Sequence, residues 1–61
     1  MTDQQITFAN AIKTRLDAIA ETGTIEEFDA LMKTGVDIAI AIEKIDPEFV
    51  ATEFIKIFDT H

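Results

Sequence analysis

The side chains able to act as nucleophiles, bases or metal ligands are few in this chain, and their positions argue against chemistry. Neither cysteine nor serine occurs, so a hydroxyl or thiol nucleophile could come only from threonine. Several threonines fall at expected helix ends, where capping is their ordinary role. His61 is the only histidine and the last residue, which suits a solvated chain end better than a metal ligand or a general base. The carboxylates Glu26, Glu27 and Asp29 cluster at the expected start of a helix, where the macrodipole favours negative charge. They lack the fixed offsets and the glycine turn of a calcium loop. No glycine-rich phosphate loop, zinc-ligand spacing or nucleophile elbow is present. The expectation is a protein without catalytic residues, cofactor site or metal site.

Charge narrows the partners. The chain carries 12 acidic and 5 basic residues, a net charge of -7. A phosphate backbone is bound through clustered Lys and Arg that release counterions, and no such cluster exists here, so direct nucleic-acid binding is not expected. An anionic membrane surface is disfavoured for the same reason, and no apolar run approaches the roughly 20 residues that span a bilayer. The opening Met-Thr-Asp-Gln-Gln has neither the positive flank nor the apolar stretch of a secretory signal. These features suggest a soluble cytoplasmic protein.

At 61 residues, 48% of them apolar, the chain reads as one small ordered domain. A chain of this size buries only about 60% of the surface its unfolded form exposes. Disulfides are ruled out by composition, which moves oligomerisation forward as a source of stability.

Three helices would position these residues. Thr2 with Gln5 has the form of a capping box, so the first helix should begin near Asp3, and Gly23 marks its end. At about 100° per residue, Phe8, Ala9, Ile12, Leu16, Ile19 and Ala20 share one arc, with Asp3, Asn10, Asp17 and Glu21 opposite. Thr24 with Glu27 repeats the capping pattern, making Thr22-Gly23-Thr24 the turn of a helical hairpin. Gly35 poses the main ambiguity. It could close the second helix through a left-handed cap, but Ile25, Phe28, Leu31, Met32, Gly35, Ile38, Ala39, Ile42 and Ile45 stay in one arc only if the helix runs through from about Ile25 to Ile45. The alternation of Val36, Ile38, Ile40 and Ile42 also fits a strand, which would have no partner strand in this chain. Continuity is the preferred reading, at a cost of roughly 1 kcal/mol for an interior Gly relative to Ala. Asp46-Pro47 has the form of an N-cap followed by the first helical residue, with Ile45 and Val50 placed as a hydrophobic staple, so a third helix is expected from Pro47 to about Asp59.

The expected fold is therefore all-α: a three-helix, up-down-up bundle made of a long helical hairpin and a shorter C-terminal helix. A third helix of about 18 Å cannot cover a hairpin of about 30 Å. Leu16, Ile19, Phe28, Leu31 and Met32 near the tip should lack cover, while Val36 and Ile40 lie at or beyond the edge of the main arc. These seven residues are the candidate protein interface. The function they suggest is a small interaction module, acting as regulator, adaptor or inhibitor by binding another protein and pairing as a homodimer. An alternative class is an acidic mimic that occupies the nucleic-acid site of another protein, using Asp3, Asp17 and Glu21 in place of phosphates. Lys13, Arg15, Lys33 and Lys44 interrupt that acidic field. A structural subunit stable only inside a larger assembly is a further class.

Overall fold

The computed structural model describes residues 1–59, so His61 lies outside the described residues. The chain forms α1 (Asp3–Thr22), α2 (Ile25–Ile45) and α3 (Ala51–Phe58), a three-helix bundle in which each helix packs on the other two. Both capping boxes are present. The Gln5 backbone N–H donates to Thr2 Oγ1 at 3.3 Å and the Thr2 N–H to Gln5 Oε1 at 2.8 Å. The Glu27 N–H donates to Thr24 Oγ1 at 3.1 Å, and the Thr24 N–H to Glu27 Oε1 at 3.4 Å. Each pair satisfies two backbone donors that a helix start otherwise leaves free.

The second helix is continuous through Gly35, and no glycine has positive φ. Gly35 is there for closeness. A Cβ on it would stand 3.1 Å from Phe58 Cζ and 3.5 Å from Ile12 Cγ2, so the missing side chain is the space into which the Phe58 ring packs. At Gly23 the backbone is extended, and a Cβ would come within 2.8 Å of Ile19 Cγ2. That crowding accounts for glycine at the hairpin turn without any appeal to a left-handed conformation.

The third helix differs from expectation. It begins at Ala51, not Pro47, and its eight residues span about 12 Å. Asp46 caps a turn instead: its Oδ1 accepts the Glu48 N–H at 3.0 Å, and its carbonyl accepts the Phe49 N–H at 3.1 Å. The reason lies in Phe49. In a helix starting at Pro47, Phe49 would point about 140° away from Phe54 and 180° from Phe58, outside the buried arc. With the turn in place Phe49 is buried, its ring centroid 5.2 Å from that of Phe54. Burying a large ring outweighs one extra helical turn. Val50, which takes the N-cap position, has no side chain able to cap, and the Ala51 N–H donates instead to Glu43 of α2 at 2.9 Å. The expected Ile45–Val50 staple is not formed as a buried contact, since both residues are exposed.

Ala9, Ile12, Leu16, Ala39, Phe49, Ala51, Phe54 and Phe58 make the core. Phe54 is its centre, meeting Phe8 and Phe58 edge-on at 5.9 and 5.5 Å and Phe49 at a tilt. Large rings thus come mainly from the C-terminal segment, and the hairpin receives them with Ala9, Gly35 and Ala39.

The Gly35 packing is open to direct test. Gly35→Ala gains helix propensity but pushes on Phe58, and the two effects should leave stability within about 1 kcal/mol of the parent. Gly35→Leu gains nearly the same propensity but pushes three further carbons toward Phe58, so overpacking dominates and should cost about 2 kcal/mol net. Urea unfolding of the two variants separates them; equal stability for Gly35→Leu and the parent would mean that Phe58 does not pack there.

Candidate functional site

Two of the concave regions among the described residues are lined in part by sequence-derived surface residues, namely Ile19, Phe28 and Leu31 of the seven. One is at the hairpin tip, where Ile19, Ala20, Gly23, Thr24, Ile25 and Phe28 enclose about 250 Å³. The other is a groove of about 280 Å³ running between α1 and α2, walled by Phe8, Ala11 and Arg15 on one side and Leu31, Thr34 and Ile38 on the other, with Ile12 and Gly35 at its floor. No α3 residue lines this groove. Phe58 packs against Gly35 and Ile12 from the core, so the groove opens on the face of the hairpin turned away from α3.

The seven candidate interface residues do not form one surface. Leu16 is fully buried and offers nothing to a partner, which corrects its assignment to an uncovered tip. Phe28, Leu31 and Met32 pack, partly buried, against the core cluster to which Leu16 belongs. Ile19 and Phe28 line the tip pocket, and Leu31 lines the groove. Val36 packs partly buried on the core, and Ile40 is exposed; with Met32 they turn toward the opposite edge of α2 from Leu31, by about 100° to 180° on the helical wheel. Phe8, Ala11 and Ile38 join the groove although periodicity alone assigns Phe8 and Ile38 to the core. Phe8 is 44% exposed.

The groove continues along both helices as a face nearly free of charge. Extending the arc of the lining residues gives Gln4, Phe8, Ala11, Arg15 and Thr22 on α1, and Glu27, Leu31, Thr34, Ile38 and Ile45 on α2. Among the described residues, Arg15 and Glu27 are the only charges in those arcs. Threonine hydroxyls do not restore polarity to this side. Thr22 and Thr34, the two threonines in those arcs, each donate to the carbonyl four residues back in their own helix at 2.9 Å, which turns the hydroxyl onto the backbone. Their methyl groups are left to the surface. The same bonds occupy hydroxyls that a nucleophilic role would need free.

Among the described residues no three His, Asp or Glu side chains gather as a metal site would require, and no helix is long and apolar enough to cross a membrane. No side-chain nitrogen or oxygen among them is buried without a hydrogen-bond partner. Comparison with known proteins finds no matching family model, no matching curated protein and no matching solved structure.

The two faces of Phe8 and Phe54 give a stability test. Phe54 is fully buried among three rings, so Phe54→Ala should cost about 3 to 5 kcal/mol and leave little folded chain. Phe8 presents nearly half its surface to the groove, and Phe8→Ala should cost less than half as much. Comparable losses in thermal unfolding would mean that Phe8 belongs to the core and not to the face.

Proposed function

We propose that this chain is a non-catalytic protein-interaction module, a regulator, adaptor or inhibitor that binds a partner protein through the α1–α2 face. The observation that carries the reading is the segregation of charge. In a chain of net charge -7, the hairpin surface turned away from α3 carries only Arg15 and Glu27 as charges among the described residues, and a groove lies between its 8–15 and 31–38 segments. A solubilising surface needs no such separation, whereas a docking face does, because charges on it would have to be desolvated on binding. Two parallel-lying helices with a groove between them are also the shape that receives a helix or a helix pair.

The acidic-mimic reading has less behind it. Asp17 and Glu21 lie one turn apart on the outer side of α1, but Asp3 stands about 21 Å along the helix from Asp17 at 1.5 Å per residue. Neutral Asn10 and Thr14 fall between them, so the carboxylates do not form a row with phosphate-like spacing.

A photo-activated cross-linking side chain placed at Thr34, on the groove wall, tests the reading in cells against the same group at Asn10, on the back of α1; both positions are exposed. Discrete cross-linked bands from position 34 and none from position 10 are expected. Equal cross-linking from both positions, or none from either, would contradict docking through this face.

A further inference from the structure

We infer that the occupant of the α1–α2 face is a second copy of this chain, related by a two-fold axis running along the helices. The four long helices then form an alternating antiparallel bundle, with one α3 on each outer side. This inference rests on the docking reading above and names its partner.

Three observations carry it. The first is the distribution of the two charges on the face: a cation on α1 and an anion on α2. A two-fold axis parallel to the helices sets α1 of one protomer against α2 of its partner, and so brings Arg15 toward the partner's Glu27. The heights agree. Ile12 Cγ2 lies 3.5 Å from the Cβ position of Gly35, so residues 12 and 35 are level, and Arg15 is then level with Met32. Glu27 lies five residues farther toward the tip, about 8 Å at 1.5 Å per residue, within the combined reach of an arginine and a glutamate side chain. Both hydrogen bonds that the Glu27 carboxylate accepts, from the Thr24 N–H and the Thr24 hydroxyl, fall on Oε1, which leaves Oε2 for the incoming guanidinium. The two Arg15 side chains fall on opposite corners of the four-helix array, so the arrangement does not bring like charges together on the face.

The second observation is extent. The backbone is 36 Å long and 19 by 15 Å across. A long face of these dimensions, widened by side chains, is on the order of the about 800 Å² per partner that a stable interface buries. A single docked helix would cover only the groove and leave Ile45 and much of the remaining face in water, whereas a second hairpin covers both helices.

The third is relief. Ala11, Thr34 and Gly35 keep the middle of the face low while Phe8 and Ile38 rise beside it. Low and high positions alternate along the face as helix packing at 8 to 10 Å requires. All neighbouring helices in the resulting array are antiparallel, the geometry of an up-down-up-down four-helix bundle.

The test combines mass with position. Sedimentation equilibrium of the full chain at tens of micromolar should give a species of twice the 6.8 kDa chain mass. Ala11→Glu sets an unpaired carboxylate at an exposed helical position in the face, and should weaken the dimer at least about tenfold while helical circular dichroism is retained. The chain has no cysteine, so two single substitutions, Ala11→Cys and Thr34→Cys, report the register directly. When the two variants are mixed under mild oxidation, the disulfide between positions 11 and 34 of different chains should form in preference to either symmetric disulfide. A dimer that Ala11→Glu leaves unchanged, or one in which the symmetric disulfides dominate, would overturn this arrangement. A monomer in solution would overturn the second copy as occupant. If cross-linking from Thr34 then captures a different protein, the docking reading stands without this partner; if it captures nothing, both fail.

Discussion

The structure depends on the seating of three rings from the C-terminal segment in a helical hairpin built to receive them. Phe54 meets three other phenylalanines, Phe58 fills the space that Gly35 leaves open, and Phe49 is carried into the core by the turn that follows Asp46. A helix of eight residues has little stability of its own. It is held by these rings, and by Glu43 of α2 accepting the first N–H of a helix whose own N-cap residue is valine. The dependence runs both ways, because the hairpin's small residues have nothing to pack against until the rings arrive.

That seating decides what the rest of the surface can be. With α3 on one side of the hairpin, most of the arc of each long helix that faces away from it is freed from the core, with Phe8 still meeting Phe54 edge-on, and its composition is unlike that of an ordinary solvated face. Apart from Arg15 and Glu27 the charges sit on the helix backs, the hydroxyls of Thr22 and Thr34 fold onto their own carbonyls, and the groove between α1 and α2 is lined by Phe8, Ala11, Leu31 and Ile38 around one arginine. A short third helix contributes to this division. It leaves the tip pocket of Ile19 and Phe28 open as well, but that pocket lies across a single turn, whereas the groove runs along both helices.

The parts legible in the sequence were those governed by local chemistry. Both capping boxes act between residues three apart, and the starts of α1 and α2 follow from them. Continuity through Gly35 was readable because phase accumulates along a helix and a break would have reset it. The start of α3 was not readable in the same way: Asp46-Pro47 does order the backbone locally, but whether a helix follows depends on where Phe49 is wanted, and that is settled by rings distant in sequence. The surface was harder still. One apolar arc on each long helix serves both the core and the groove, and only the position of α3 separates the two, which is why Leu16 reads as surface yet is enclosed, and Phe8 reads as core yet is half exposed. A partial signal existed in the near absence of charge between Gln4 and Thr22 on one side of α1.

The claim that organises this account is that the α1–α2 face is covered in solution while the rest of the surface is not. Phe8 and Ile40 provide a matched pair, 44% and 45% exposed in the single chain, the first on that face and the second away from it. Nuclear magnetic resonance with a soluble paramagnetic agent, at protein concentrations of tens to hundreds of micromolar, reads the accessibility of each. The account predicts that the Phe8 ring protons are shielded from the agent while the Ile40 methyl protons are strongly broadened. Equal broadening at the two positions would contradict it.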